Sequence, residues 1–140
     1  MAMIETGEGL TVFVVDDDEA VRDSLAALLE SVGVEAATFA SGREFLAAHD
    51  GRRPGCLVLD LDLPDMTGLD LLAALAAGGA RLPAILITGR RASALRARAD
   101  GAAVIALLEK PFPERALLEA IAAALGGPRT RADGAGGAAT

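Results

Sequence analysis

The sequence predicts an α/β fold in which a parallel β-sheet is flanked by helices. Apolar runs of four to six residues alternate, five times along the chain, with longer segments that have helical periodicity. The first run, Thr11–Val15, is apolar almost throughout, which indicates a strand buried on both faces of its sheet. The length of 140 residues fits one domain with a single core.

The segment up to residue 49 is predicted to form two strand–helix pairs. Thr11–Val15 is the first strand, and the helix after it ends at Gly33. The second strand is predicted over 34–39, and the S-x-x-E pattern of Ser41 and Glu44 can cap a second helix that runs to about residue 49. Five apolar residues place one apolar stripe on the first helix: Val21, Leu25, Leu28, Leu29 and Val32.

The third strand is predicted over 56–59, at the centre of the sheet, and it ends at Asp60. Thr67 and Asp70 offer a capping pattern for a third helix, which Gly78 ends. The apolar residues of this helix are Leu69, Leu72 and Leu75. The chain should therefore leave the central strand at Asp60 and enter the third helix near Thr67.

The last part of the chain is predicted to hold two further strands, Ala84–Thr88 and 104–108. A helix over 93–99 separates them, and Glu114–Leu125 forms the fifth helix. The helix over 93–99 has little apolar surface, so tertiary packing must supply most of its stability. We divide the chain into an N-terminal extension, one domain and a flexible, Gly-rich tail or linker: 1–9, 10–125 and 126–140.

Composition narrows the class of function. A formal net charge of -7 argues against direct nucleic-acid binding, which needs a concentrated basic surface. No apolar run approaches the roughly 20 residues of a membrane span, and the first ten residues lack Lys and Arg, so we expect a cytoplasmic protein. Cys56 has no disulfide partner and is interpreted as a small buried residue, and His49 as a solvated residue at a helix end.

Five polar residues follow the predicted strands: Asp16, Asp17, Asp60, Thr88 and Lys110. In open parallel sheets, ligands bind outside the carboxyl ends of the strands, so these residues should converge on one edge. Three carboxylates at about 4 Å repel one another by about 4 kcal/mol per pair at an effective dielectric near 20, and a cation must offset this. An all-oxygen set of ligands favours a hard ion, so Mg²⁺ is the expected metal.

The same residues predict a nucleophile. Lys110, the one lysine in a chain with 13 Lys and Arg residues, would face the carboxylates and hold Asp60 and later a phosphoryl oxygen. Thr88 would donate a hydrogen bond to the same group. A carboxylate attacks phosphorus when a metal and a lysine neutralise the transferring group. We therefore predict that Asp60 accepts a phosphoryl group.

Four motifs in this order resemble a response-regulator receiver domain of bacterial two-component systems. They are V-V-D-D-D-E at 14–19, L-D-L-D-L-P-D-M-T-G at 59–68, I-L-I-T-G at 85–89 and E-K-P-F at 109–112. Their wording is nearest to the receivers of nitrogen-fixation and LuxR-type transcription regulators. The resemblance covers residues 10–125 and implies a doubly wound, flavodoxin-like sheet of strand order 2-1-3-4-5 with helices on both faces.

The resemblance also implies roles for individual residues. Asp16 and Asp17 would bind Mg²⁺ together with Asp60, and the backbone carbonyl of Asp62 would be a further metal ligand. Asp60 would take phosphate from a histidine kinase or phosphotransfer protein, Thr88 would report the phosphoryl group and Lys110 would bridge to it. A cis bond between Lys110 and Pro111 is implied as well. The chain would then be a signalling module rather than an enzyme, with an output domain or effector, or a second copy of itself, as its partner on phosphorylation.

Two alternatives stay open. Asp60, Asp62, Thr88 and a later lysine imitate the first motifs of haloacid-dehalogenase-like phosphatases, although the acidic pair Asp16–Asp17 precedes them here rather than following. A receiver-like module that signals without phosphate is the other.

Two further predictions concern how the site works. Leu107 stands where receivers commonly carry Phe or Tyr, so the usual aromatic switch cannot operate there. Asp62 and Arg90, each two residues past a predicted site residue, should flank the pocket mouth. We predict that they form an ion pair that slows hydrolysis of the phosphoryl group.

Overall fold

The computed structural model describes residues 10–49, 54–80, 82–89 and 104–126, which hold five strands and four helices. The strands are β1 Thr11–Val15, β2 Ala36–Phe39, β3 Gly55–Asp60, β4 Ala84–Thr88 and β5 Val104–Glu109. The helices are α1 Glu19–Ser31, α2 Gly42–Ala48, α3 Gly68–Ala77 and α4 Glu114–Leu125. The predicted helix over 93–99, the extension over 1–9 and all but the first residue of the tail over 126–140 lie outside the described residues. No helix among the described residues is long and apolar enough to cross a membrane.

The strands form a single parallel sheet in the order β2-β1-β3-β4-β5. This confirms the predicted strand order. Val15 lies level with Leu59, and Asp60 lies level with Ile87, so β1, β3 and β4 end at nearly the same height. The residues that follow these strands are therefore neighbours in space.

Helices cover both faces of the sheet, as the continuous apolar strands predicted. Phe13, Val15, Leu57 and Leu59 point into one core, with Leu71 of α3. A second core lies on the opposite face, and its buried members include residues of β1, β3, α1 and α4: Val12, Val14, Val58, Leu29 and Leu117. Because each large apolar side chain buried in this way contributes about 1.5–3 kcal/mol, the sheet is a stable base for the residues at its edge.

Polar side chains begin three of the helices. Asp18 is the N-cap of α1, and its side chain accepts hydrogen bonds from the N–H groups of Ala20 and Val21. At α2 the Glu44 N–H donates to Ser41 Oγ (3.0 Å). The Glu44 carboxylate accepts from the Ala40 N–H, one residue before the N-cap. At α3 both halves of the capping box between Thr67 and Asp70 are formed.

His49 is buried, so the prediction that it is solvated was wrong. Only 7% of its surface is exposed, and its ring centroid lies 4.3 Å from that of Phe13 and 5.1 Å from that of Phe45. Phe45 and His49 are four residues apart and share a helix face. The backbone leaves helical geometry at His49 (φ -150, ψ 131), so this residue closes the helix with its ring against the core.

Candidate functional site

The predicted site residues meet at the carboxyl edge of the sheet. Oxygens of Asp16, Asp17 and Asp60 lie within 4.8 Å of one another. Lys110 Nζ lies 3.3 Å from Asp60 Oδ2 and 3.6 Å from Asp16 Oδ2. Thr88 ends β4 beside them and is fully buried. Four distant parts of the chain thus contribute to one pocket.

Asp60 occupies the last position of β3 and is 5% exposed. Its Oδ1 accepts a hydrogen bond from the Asp62 N–H at 2.8 Å, and its Oδ2 accepts one from Lys110 Nζ. The carboxylate is therefore held from both sides while one edge of the residue still reaches solvent. A group so held is oriented for reaction and is not free to turn into a neighbouring rotamer.

Asp16 is completely buried, although it carries a carboxylate. Its Oδ1 accepts the Asp18 N–H at 2.9 Å, and its backbone carbonyl accepts a hydrogen bond from Arg22 Nη1 at 2.8 Å. Burial raises the pKa of the Asp16 carboxyl, and the Asp18 N–H and the charge of Lys110 offset only part of this rise. No group among the described residues donates a hydrogen bond to Asp16 Oδ2.

Lys110 supplies the positive charge of the pocket. The backbone N–H of Lys110 donates to the Thr88 carbonyl at 2.8 Å, which fixes the start of the Lys110 side chain beside β4. Desolvation lowers the pKa of the Lys110 ammonium, but the carboxylates of Asp16 and Asp60 outweigh this effect and leave the pKa above its ordinary value. The ammonium therefore stays charged at neutral pH. The Lys110–Pro111 peptide bond is cis, as predicted.

The donor set fits a hard divalent cation. Three carboxylates within 4.8 Å repel one another, and Lys110 offsets one charge at most. The buried Asp16 Oδ2, with no hydrogen bond from the described residues, has a lone pair to offer. Oxygen ligands without His or Cys favour Mg²⁺. Asp17 is exposed, so a bound ion would keep a side open to water and to phosphate oxygens.

Asp62 has a contact that sequence reasoning missed. The Thr88 hydroxyl donates a hydrogen bond to Asp62 Oδ2 at 2.7 Å. We had expected it to donate to the group that Lys110 holds at Asp60. Thr88 and Asp62 are 26 positions apart, so local patterns gave no direct signal. The D-x-D spacing of Asp60 and Asp62 was the available hint, because residues two apart in an extended chain face the same side. Metal ligation by the Asp62 carbonyl remains a prediction.

The loop after β3 is held tightly against the sheet. Asp62 and Thr67 form an antiparallel bridge, and the Gly68 N–H donates to the Leu61 carbonyl at 2.9 Å. A Cβ atom at Gly68 would lie 3.1 Å from the Asp60 carbonyl oxygen and from Leu61 Cα, so any larger residue would crowd the backbone where α3 approaches the end of β3. This close approach fixes the backbone on both sides of Asp62.

Other predictions about the site fare differently. Cys56 is buried as expected, and burial raises the pKa of its thiol to about 12, so it plays no chemical part. Leu107 is half-buried and packs against the core that contains Phe13. Arg90 lies outside the described residues, so its ion pair with Asp62 stays a prediction.

Comparison with known proteins agrees with this geometry. The family model of the response regulator receiver domain matches residues 12–122. The transcriptional regulatory protein TdiR of Thauera aromatica is 39% identical over 133 residues, which are 95% of this chain and 59% of TdiR. The transcriptional regulatory protein FixJ of Azorhizobium caulinodans is 42% identical over 119 residues, which are 85% of this chain and 56% of FixJ. The chain thus spans less than two thirds of either relative.

Solved structures give the same result. The crystal structure of FixJ-N superposes with a TM-score of 0.73 at 39% identity, covering 82% of this chain and 92% of that one. The response regulator StyR gives a TM-score of 0.80 at 41% identity, covering 89% of this chain and 63% of that one. These matches favour the receiver interpretation over a haloacid-dehalogenase-like phosphatase. The chain therefore belongs to the response-regulator receiver domains, the phosphoacceptor domains of two-component signalling.

Proposed function

We propose that a histidine kinase or phosphotransfer protein phosphorylates this chain on Asp60 in a Mg²⁺-dependent reaction. The observation that carries this proposal is the Asp60 carboxylate, held between the Asp62 N–H at 2.8 Å and Lys110 Nζ at 3.3 Å at the edge of the acidic cluster. A carboxylate in this setting is a nucleophile for phosphorus whose charge repulsion is already partly offset.

The phosphoryl transfer is a displacement at phosphorus. One oxygen of Asp60 forms a bond to phosphorus as the bond from phosphorus to the donor's histidine nitrogen breaks, and the electron pair leaves with that nitrogen. Lys110 stabilises the negative charge on the phosphoryl oxygens from the side of β5. The Thr88 hydroxyl donates a hydrogen bond to one of these oxygens and no longer donates to Asp62.

Asp16, Asp17 and Asp60 would hold the metal with their carboxylates, and Asp62 with its backbone carbonyl. When bound, Mg²⁺ neutralises the carboxylates and the phosphoryl oxygens together. The buried Asp16 contributes most to placing the ion, because Asp18 and Arg22 fix it on both its side-chain and backbone oxygens. Asp17 is exposed and would hold the ion from the solvent side of the site.

We further propose that the chain acts as a signalling module whose own chemistry is limited to self-phosphotransfer and autodephosphorylation. Residues 10–125 would form the receiver and 126–140 a linker or tail. Phosphorylation would change the contacts with an output domain or effector, including a second copy of the chain. Its net charge of -7 supports leaving any nucleic-acid contact to another domain. The reaction would take place in the cytoplasm.

The test is phosphorylation by acetyl phosphate with Mg²⁺, followed by intact-mass and peptide mass spectrometry. We expect one phosphoryl adduct per chain, located on Asp60 and abolished by Asp60→Asn. Asp23→Asn removes the same charge from an exposed position on α1 and should leave the adduct intact. An adduct on another residue, or rapid multiple turnover of phosphate esters, would overturn the proposal.

A further inference from the structure

The contact between Thr88 and Asp62 points to a function that the phosphorylation site alone does not explain. We propose that the Asp62 side chain is a positioning group that holds the Thr88 hydroxyl in the unphosphorylated state. It would thereby compete with the phosphoryl group on Asp60 for that hydroxyl. This inference rests on the proposed function, since it assumes that Asp60 is the phosphorylated residue.

The two side chains meet where the paired strands β3 and β4 end. Asp60 pairs with Ile87, and the Leu61 N–H continues the ladder to the Ile87 carbonyl at 2.9 Å. Asp62 is the next residue of the chain, and its side chain contacts that of Thr88, the last residue of β4. The hydroxyl-to-carboxylate distance of 2.7 Å is short, as expected when the acceptor is charged, and such bonds are stronger than neutral ones. Thr88 is fully buried, so water does not easily replace this contact.

A hydroxyl carries one proton and can donate it to one acceptor at a time. If Thr88 donates to a phosphoryl oxygen, Asp62 Oδ2 loses that hydrogen bond. Asp62 would then be a half-buried carboxylate next to a newly added negative group. Both effects favour the unphosphorylated arrangement, so Asp62 shifts the equilibrium away from the phosphorylated one.

The side chain and the backbone of Asp62 act on different partners. Its N–H donates to Asp60 Oδ1 and its carboxylate accepts from Thr88. A substitution at Asp62 therefore removes the contact with Thr88 while leaving the backbone hydrogen bond to Asp60 in place. This separation makes the inference testable without disabling the phosphoacceptor.

The first measurement uses unphosphorylated protein without metal. We expect methyl NMR couplings to show one dominant χ1 rotamer for Thr88 in the wild type and a redistribution among rotamers in Asp62→Ala. Asp23→Asn is the control: it removes one negative charge from an exposed position on α1. An unchanged Thr88 rotamer in Asp62→Ala would overturn the inference.

The second measurement is the affinity for beryllofluoride, a phosphoryl mimic, at saturating Mg²⁺. Asp62→Ala frees the Thr88 hydroxyl from a hydrogen bond to a charged group, and such bonds are stronger than neutral ones. We therefore expect Asp62→Ala to bind beryllofluoride about tenfold more tightly than wild type does. Asp62→Asn keeps an acceptor but not the charge, so its affinity for beryllofluoride should lie between those of wild type and Asp62→Ala. Asp23→Asn should differ from wild type by less than about twofold, since exposed charges are screened.

A double-mutant cycle with Thr88→Val then isolates the hydroxyl. In the Thr88→Val background, Asp62→Ala should keep only the part of the gain that comes from removing the carboxylate charge, and the difference between the two backgrounds measures the part due to the hydroxyl. A full gain in that background would mean that charge alone is responsible, and it would overturn the role of the hydroxyl. Wild type that binds no beryllofluoride would overturn the proposed function and this inference with it. Wild type and Asp62→Ala that bind equally well would overturn the inference alone.

Discussion

His49 is a polar side chain that packs in the core. Its ring lies against Phe13 and Phe45, and it is 7% exposed. We expect His49→Ala to lower the free energy of unfolding by about 2 kcal/mol, because it removes a buried ring and leaves a cavity between two aromatic neighbours. Urea unfolding followed by circular dichroism measures this change.

A position in solvent would behave differently. Glu30→Ala, at an exposed site on α1, should change the free energy of unfolding by less than about 0.5 kcal/mol. If His49→Ala fell in the same small range, the ring would contribute no more than a solvated residue does.

At the scale of elements, α2 depends on the loop that follows β3. The helix has seven residues, too few to be stable alone. Asp65 Oδ1 accepts the Gly42 N–H at 3.3 Å, and its Oδ2 accepts the Arg43 N–H at 2.9 Å. The carboxylate thus satisfies two free donors at the helix start and ties α2 to the loop that also carries Asp62.

This anchor should make stability depend on pH. Burial acts to raise the pKa of Asp65, but the N–H groups of Arg43 and Gly42, its own N–H and the charge of Arg43 outweigh it, so the net pKa lies below 3.8. The contribution of Asp65 is therefore present above pH 3.8 and is lost as pH falls through the lower folded-state value. We expect Asp65→Asn to cost about 1 kcal/mol at neutral pH, because the amide keeps one acceptor oxygen and loses the charge that the helix N-terminus favours.

Urea unfolding at several pH values checks this. The stability difference between wild type and Asp65→Asn should shrink as the pH falls below 3.8. Asp23→Asn removes an equal charge from an exposed helix position and should show no such loss. A difference between wild type and Asp65→Asn that stays constant over this range would contradict the anchoring role of the charge.

The elements themselves were predictable because their signals are local. Continuous apolar runs indicated buried strands, and S-x-x-E and T-x-x-D patterns indicated where α2 and α3 begin. The strand ends then placed Asp16, Asp60 and Lys110 on one edge. The contacts that local patterns missed join distant positions: Asp65 with the start of α2, and Asp62 with Thr88. Such pairs depend on the strand register and loop path, which a single sequence does not reveal.

At the scale of the whole molecule, the acidic pocket sets function against stability. Asp16 is fully buried, and burial raises its pKa above 3.8, so the ionised carboxylate opposes folding at neutral pH. This penalty is absent below pH 3.8 and complete above the raised folded-state value. The nearby carboxylates of Asp17 and Asp60 add repulsion. A bound divalent cation would reverse both effects, because it stabilises only the folded chain.

We therefore expect Mg²⁺ to invert the order of stability of wild type and Asp16→Asn. Without Mg²⁺, Asp16→Asn should be the more stable by about 1 kcal/mol, because it removes a buried charge while Lys110 keeps Asp60 as a partner. With Mg²⁺ at ten times its dissociation constant, wild type should gain about 1.4 kcal/mol, and the variant much less.

Urea unfolding at neutral pH with Mg²⁺ or with a chelator measures both stability differences. Equal gains in the two proteins would mean that Asp16 is not a metal ligand, and a less stable Asp16→Asn in chelator would mean that its buried charge is fully offset.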